Sequence, residues 1–347
     1  MIPAGITLGI SMGDPLGIGP EVVVRALAQV RIRAGLRILI YGQNPVLQLA
    51  AEQAGIEPFW MRVAQSAARS TEPLPDGVTV IDFDLPDATR ETTPQPTKAG
   101  GLVSKALVEE GITDAMRPTG EARHIDALIT APISKESWSM AGYRWPGHTE
   151  LLASRTHARR HAMAFESPRL RVALATAHLP LMAVRDVLTI GRVFDPIDLG
   201  NEHCQRLGIE RPRIAVCGLN PHAGERGIFG DEEDRVIRPA IEMARSSGIE
   251  AQGPFPGDTI FRQALAGEFD LVVAMYHDQG LIPVKLLAFD RAVNVTLGLP
   301  IVRTSPDHGT AFGISGKSRA DAGSMRAAID LAMLLAQSPA RRGHLPR

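Results

Sequence analysis

The sequence feature that most constrains the fold is an apolar run that ends abruptly in polar, titratable residues. Residues 271–275, Leu-Val-Val-Ala-Met, are followed directly by Tyr-His-Asp-Gln-Gly at 276–280. An unbroken apolar run of this length is typical of a strand covered on both faces, as in a parallel sheet between helices. Ligands of open α/β sheets bind outside the carboxyl ends of the strands. The run therefore predicts a parallel α/β sheet with a functional corner at His277.

Length, charge and cysteine content narrow the class of protein. A chain of 347 residues is long enough for two domains. The formal net charge of −1 argues against a nucleic-acid or membrane-surface partner and favours a small-molecule ligand. Cys204 and Cys217 do not form a disulfide framework. The start of the chain lacks the basic region of a signal peptide, and no window is apolar enough for a membrane helix, so we expect a cytoplasmic protein without membrane contact.

Alternating strand and helix patterns run along most of the chain. A strand at residues 6–12, a glycine-rich loop at 13–20 and a helix at 21–30 form the first unit, and the glycine spacing fits neither the dinucleotide fingerprint nor the P-loop. Residues 71–97 read as a loop-rich excursion around one strand at 78–83, residues 161–166 as a connector, and the tail 341–347 as frayed. Further strands are predicted at 37–41, 127–130, 169–177, 213–217 and 271–276, and further helices at 46–54, 98–116, 151 onward, 195–207, 232–246 and 324–336.

Three histidines follow predicted strands closely. His178, His222 and His277 come after the strands that end near residues 177, 217 and 276. If those strands are parallel in one sheet, the imidazoles lie at the same rim and could bind a divalent ion. A single histidine in such a place is more often a packed or surface residue, so the metal site depends on the fold.

Polar residues in the neighbouring loops suit an anionic substrate. Cations such as Lys285 and Arg303 would bind a phosphate or carboxylate, although single loop cations are usually solvated. His148 and Thr149 precede a predicted helix, where they could form an anion site or serve as a simple cap. Metal-assisted hydrolysis and hydride transfer fit these residues equally well. The remaining polar loop candidates are Lys135, Asp258, Asn294 and Asp307.

Seven short blocks occur in order along the chain, at residues 13–21, 130–135, 146–150, 175–180, 217–225, 276–280 and 303–311. Together they resemble the 4-hydroxythreonine-4-phosphate dehydrogenase family of pyridoxal-phosphate biosynthesis. This family belongs to the isocitrate/isopropylmalate dehydrogenase-like superfamily, whose nucleotide site is not a Rossmann fingerprint. The resemblance runs from about residue 6 to residue 335 and does not extend to residues 71–97.

The resemblance implies a fold, a metal and an assembly. The fold would be two α/β/α domains with a cleft between them: residues 1–130 with 301–347, which carry the cofactor loop, and residues 131–300, which carry the metal and dimerisation elements. His178, His222 and His277 would bind one divalent ion, Zn, Mg or Co, with His277 contributed across a homodimer interface.

The resemblance also implies a reaction and the residues that serve it. NAD or NADP would oxidise the C3 hydroxyl of 4-phosphooxy-L-threonine, with decarboxylation to 3-amino-2-oxopropyl phosphate. Lys285 is a candidate for proton transfer, and Asp258 is a second catalytic candidate. The substrate contacts would be His148, Thr149, Lys285, Asn294 and Arg303, and the cofactor contacts Asp307, His308, Gly309, Thr310 and Lys317.

Alternative functions stay open. Paralogues of the same family oxidise D-erythronate or D-threonate 4-phosphate, or a cyclic diol derived from terephthalate. Metal-dependent phosphate-ester hydrolysis needs only the histidines and the cations. A small-molecule binding protein without catalysis is a third class, which the concentration of titratable groups at strand ends argues against.

Overall fold

The computed structural model describes residues 5–69, 74–86 and 93–338. The interpretation of residues 341–347 as frayed, and parts of the excursion at 71–97, lie outside these ranges. The chain divides into two compact units, one within Met1–His157 and Pro300–Gln337, the other within Ala158–Leu299 and Ser338–Arg347.

The first unit is built on a parallel sheet. Its described strands run in the order β3-β4-β2-β1-β5-β12, and every pair is parallel. The central strands β1 and β5 are buried along their whole length, as their apolar residues require. The bounds are β1 Thr7–Ser11, β2 Arg37–Gly42, β3 Met61–Ala64, β4 Gly77–Asp82, β5 Ala127–Thr130 and β12 Val302–Pro306.

Helices connect these strands in sequence. The first begins with Gly19 and Pro20 and places Glu21 in its first turn, which matches the predicted strand, loop and helix. The bounds are α1 Gly19–Ala28, α2 Val30–Arg33, α3 Asn44–Ala54, α4 Lys98–Ala115, α5 Lys135–Met140, α6 His148–Arg155 and α12 Gly323–Gln337.

The second unit contains a mixed sheet. Its described strands run in the order β11-β6-β7-β10-β8-β9, where β6 is antiparallel to both neighbours and the later pairs are parallel. The interpretation of residues 161–166 as a connector is wrong, because residues 162–166 form the whole of β6, whose backbone pairs on both sides. The bounds are β6 Ala162–Glu166, β7 Arg171–Leu174, β8 Ile214–Cys217, β9 Ala251–Phe255, β10 Leu271–Ala274 and β11 Val293–Leu297.

The helices of the second unit include one that begins at the functional corner. His277 is the first residue of α11, so residues 277–280 form a helical turn rather than a loop before Gly280. The bounds are α7 Val184–Val187, α8 Ile190–Arg206, α9 Arg238–Ser246, α10 Ile260–Leu265 and α11 His277–Ala288.

The division between the units differs from the sequence interpretation. Residues 131–157 belong to the first unit rather than the second, because α5 packs closely on α4. Gly101 of α4 lies against the backbone of Ser137 so tightly that a Cβ would meet its carbonyl oxygen. The Ser137 hydroxyl also donates to Asp14, at 2.9 Å.

Alternating strands and helices confirm the predicted α/β class. Within the described ranges, no helix has the length and apolar character needed to cross a membrane.

Candidate active site

Three histidines lie at the carboxyl ends of adjacent parallel strands in the second unit. Strand β10 lies between β7 and β8 and is parallel to both. His178 follows β7, His277 follows β10 and His222 follows β8. The parallel order confirms the condition on which the metal prediction depended. All three histidines thus follow the same edge of the sheet.

His178 and His277 are close to each other. Their ring centroids are 5.6 Å apart, with the planes inclined by 39°. Asp278 Oδ1 lies 2.7 Å from Nδ1 of His277, which leaves Nε2 available as a ligand atom. Two imidazoles at this separation fit one divalent ion.

The third histidine does not complete a cluster within one chain. Across the described ranges, no group of three His, Cys, Asp or Glu side chains converges as a metal site. His222 lies in the turn Pro221–Gly227, an exposed segment with left-handed backbone angles. The three-histidine ligand set therefore stays a prediction.

Arg303 provides a buried positive charge in the first unit. It is 3% exposed and donates from Nε and Nη2 to Thr130 Oγ1, at 3.1 and 2.7 Å. Burial lowers the pKa of Arg303 to about 9, and Glu150 partly opposes this shift. A guanidinium with this pKa remains charged at neutral pH, so it can bind an anion.

His148 and Thr149 begin helix α6 in the same unit. The His148 ring packs edge-on against Trp138, with the centroids 5.7 Å apart. Burial, and secondarily the charge of Arg303, holds the pKa of His148 well below its usual value. Its Nε2 atom is buried and has no hydrogen-bond partner in the described part of the chain. A neutral imidazole with an unused nitrogen beside a buried cation suits a polar ligand.

The other predicted substrate and catalytic residues lie in the second unit. Lys285 is half-buried on α11, with Nζ 5.6 Å from the centre of the Phe289 ring. Asn294 is half-buried on β11. Asp258 is exposed between β9 and α10. The catalytic roles of Lys285 and Asp258 stay predictions.

The predicted cofactor loop packs on the glycine-rich loop at residues 13–19. Ile18 N donates to Thr310 O at 2.9 Å, and Ser315 Oγ donates to Gly17 O at 3.0 Å. The glycine-rich loop therefore supports the loop that follows β12. Asp307 N donates to Ser324 Oγ at 3.0 Å, and the exposed Lys317 donates to Gly313 O at 2.7 Å. His308 and Gly309 lie between Asp307 and Thr310 in this loop.

Two residues outside the predicted ligand and substrate set shape the histidine rim. Gln279 accepts from Met275 N at 2.7 Å and donates to Gly218 O at 2.8 Å, which joins the ends of β10 and β8. Glu233, 2% exposed, accepts from the backbone nitrogens of Leu219 and Asn220. The position of Gln279, directly after His277 and Asp278, indicated a role at this corner of the sheet. The position of Glu233 in the sequence indicated no such role.

Comparisons with known proteins agree with this architecture. The chain is 46% identical over 328 residues to a 4-hydroxythreonine-4-phosphate dehydrogenase of Desulfosudis oleivorans, covering 94% of this chain and 95% of the relative. It is 43% identical to a D-threonate 4-phosphate dehydrogenase of Salmonella typhimurium, with 95% and 99% covered. The solved 4-hydroxythreonine-4-phosphate dehydrogenase of Klebsiella pneumoniae superposes with a TM-score of 0.81 at 38% identity, covering 96% and 100%.

A more distant structure and a family match complete the assignment. A β-decarboxylating dehydrogenase from Thermococcus kodakarensis has a TM-score of 0.50 at 14% identity, covering 95% of this chain and 84% of that one, and so shares the fold. Residues 35–332 match the family described as pyridoxal phosphate biosynthetic protein PdxA. The chain therefore belongs to the PdxA family.

Proposed function

We propose that this protein oxidises the C3 hydroxyl of 4-phosphooxy-L-threonine with NAD or NADP, followed by decarboxylation to 3-amino-2-oxopropyl phosphate, in pyridoxal 5'-phosphate biosynthesis. The observation that carries the proposal is the buried guanidinium of Arg303 beside the start of α6. A guanidinium beside a helix start suits an anionic ligand, and the substrate carries both a phosphate and a carboxylate. Relatives more than 40% identical over nearly the whole chain are dehydrogenases of such phosphorylated acids.

In this proposal a cation, a neutral imidazole and a backbone N–H bind the substrate together. Arg303 binds one anionic group of the substrate through its guanidinium. Neutral His148 offers its buried Nε2 to a polar atom, and Thr149 offers the unpaired backbone N–H of a helix start. Asn294 and Lys285 supply further donors.

The proposed metal ligands are His178, His222 and His277. Their imidazoles are the ligands that Zn and Co prefer, and Asp278 fixes the orientation of the His277 ring. When bound, a divalent ion acidifies the substrate hydroxyl and polarises the carbonyl that oxidation produces. Lys285 takes the hydroxyl proton and later returns a proton to the carbon that loses carbon dioxide. Asp258 is a second candidate for proton transfer.

The cofactor in this proposal binds along the loop after β12. Asp307, His308, Gly309 and Thr310 present polar atoms there, and Lys317 adds a positive charge. Support comes from the anchoring of this loop on the glycine-rich loop, because a fixed backbone positions donors without rearrangement.

A homodimer is part of the proposal. Helix α11, which begins with His277, exposes an apolar stripe at Ile282, Leu286 and Phe289, which are 58%, 81% and 73% exposed. These positions lie on one face of a helix, and such a stripe is typical of an interface. A second copy of the chain that covers this stripe would lie close to His277 of the first.

One alternative substrate has specific support. The Salmonella typhimurium relative acts, by its name, on D-threonate 4-phosphate, which carries a hydroxyl where phosphooxy-threonine carries an amino group. The same metal, cation and cofactor sites would serve both substrates. The distinction between them rests on the groups that contact carbon 2.

NAD(P)H absorbance tests the proposal. The purified protein, loaded with Zn, Mg or Co, is mixed with NAD or NADP and with 4-phosphooxy-threonine, D-threonate 4-phosphate or D-erythronate 4-phosphate. We expect chelator-sensitive reduction of the cofactor, fastest with 4-phosphooxy-threonine. Faster turnover of a sugar-acid phosphate would reassign the substrate, and phosphate release without cofactor reduction would indicate hydrolysis.

A further inference from the structure

The turn that carries His222 has an unusual backbone. Between Pro221 and Gly227, the non-glycine residues His222, Ala223, Glu225 and Arg226 have φ angles of 52°, 51°, 42° and 55°. L-residues adopt this left-handed region rarely and mostly singly, because Cβ approaches the following carbonyl. A run of such residues persists only where neighbouring groups hold it.

The carboxylate of Glu233 accepts hydrogen bonds from the residues that lead into this turn. Its Oε1 accepts from Leu219 N at 2.8 Å and from Asn220 N at 2.7 Å, and its Oε2 accepts from Asn220 Nδ2 at 2.9 Å. Glu233 is 2% exposed, so these charge-assisted hydrogen bonds form away from water. They fix the backbone immediately before His222.

Glycines let the turn fold directly over that carboxylate. A Cβ on Gly218 would lie 3.0 Å from Glu233 Oε1, and one on Gly224 would lie 2.7 Å from Oε2. Gly224 also has a positive φ of 81°. The turn therefore closes around Glu233.

A second carboxylate links the turn to the segment after His178. Asn220 Nδ2 also donates to Glu232 Oε2 at 2.8 Å, and Glu232 Oε1 pairs with Nε of Arg185 at 2.6 Å. Arg185 lies on α7, soon after His178 in the chain. The network connects the segments that carry two of the proposed ligands.

We propose that Glu233 is a positioning residue that fixes the left-handed turn, and with it His222, before a metal ion binds. The inference rests on the proposed function, because it takes His222 as a ligand. Glu233 accepts from the backbone nitrogens of Leu219 and Asn220, so its effect reaches His222 through the backbone. The residue thereby sets metal affinity without being a ligand itself.

The test compares Glu233→Gln with Asp234→Asn in the full-length protein. Asp234 is a matched control, because it is the next residue and its carboxylate is exposed and pairs with Arg238 at 3.1 Å. The affinity of metal-free protein for Co²⁺ is measured by visible absorption, NADH binding by fluorescence, and thermal unfolding without metal by circular dichroism. We expect Glu233→Gln to weaken Co²⁺ binding by about 10- to 100-fold. NADH binding should stay unchanged, and Asp234→Asn should bind Co²⁺ like the parent protein.

Other outcomes overturn the inference. Unchanged Co²⁺ affinity in Glu233→Gln would reduce Glu233 to a structural role, and equal losses of Co²⁺ and NADH binding would indicate general damage. If Glu233→Gln does not fold, Asn220→Ala removes the side-chain link alone, and unchanged Co²⁺ affinity in that variant would count equally against the inference. A parent protein that binds no Co²⁺ would overturn both the metal site and this inference. Tight binding without turnover of any substrate would overturn only the proposed function.

Discussion

Arg303 carries a buried charge and is a proposed substrate contact, and a variant can separate the two effects. Burial lowers its pKa to about 9, because the charged form loses hydration in the fold. This desolvation cost reduces what the cation contributes to stability. Arg303→Met should raise KM for the phosphorylated substrate by about 10- to 150-fold, the value of a hydrogen bond to a charged group. The free energy of unfolding should change by only about 1 kcal/mol, because the variant also removes a desolvation cost.

Steady-state kinetics and urea unfolding measure the two effects. Arg303→Lys is the matched control, because it retains the charge but loses the planar fork that binds an anion at two points. Its KM should lie between those of the parent and Arg303→Met. A loss of several kcal/mol of stability with an unchanged KM would mean that Arg303 serves the fold alone.

His148 predicts how stability depends on pH. Burial and the charge of Arg303 hold its pKa in the fold well below its usual value, so below about pH 6.5 the unfolded chain takes up a proton that the folded chain does not. Stability is therefore full above that pH and falls as the pH decreases. His148→Gln removes this titration. Urea unfolding at about pH 7.5 and pH 5.5 should show a smaller loss for the variant than for the parent. Equal losses would contradict a neutral, buried His148.

The glycine-rich loop supports the loop that follows β12 by direct contact. A Cβ on Gly17 would lie 3.0 Å from both Cβ and the carbonyl oxygen of Thr310, so Gly17→Ala should displace the proposed cofactor loop. Overpacking of this kind costs about 1–3 kcal/mol. We therefore expect KM for NAD or NADP to rise by about tenfold, while KM for the substrate stays nearly constant. Gly191→Ala on α8 is the control, because a Cβ there meets nothing within 4 Å. Equal increases in both KM values would count against this role of the loop.

Elements differ in how far the sequence could predict them. Apolar runs identified β5 and β10 within two residues, because strands buried on both faces contain little else. Strand β6 was missed because its residues include no β-branched side chain, although it pairs with the next strand, β7. Helix α11 was missed because Gly280 and Pro283 disfavour helix. The left-handed turn was beyond prediction, since it depends on the buried carboxylate of Glu233 rather than on its own residues.

The same distinction applies to the candidate site. Histidines directly after apolar runs predicted a common rim, because parallel strands end at the same edge. Position in the predicted loops suggested His148 and Arg303 as anion-binding candidates, and the family resemblance implied that both contact the substrate. Only the structure supplied the burial that sets their pKa values. Burial depends on tertiary packing, which local patterns do not encode.

At the scale of the whole molecule, an experiment can test whether the ligands of one proposed metal ion come from one chain or from two. The resemblance implies that His178 and His222 of one chain combine with His277 of its partner. Within one chain, however, the rings of His178 and His277 are only 5.6 Å apart, which also fits an ion held by a single chain. The two arrangements make opposite predictions for mixtures of inactive variants.

His178→Ala and His277→Ala should each abolish metal-dependent turnover, because each removes a ligand. If the centre is shared, a hybrid dimer of the two variants contains one site with all three histidines, so mixing them should restore part of the activity. Turnover is measured after subunit exchange, with exchange confirmed by native mass spectrometry. A mixture of His178→Ala with His222→Ala is the control, because both changes affect the same side of a shared site and no hybrid site is complete. Confirmed hybrids without activity in either mixture would show that each chain binds its metal alone.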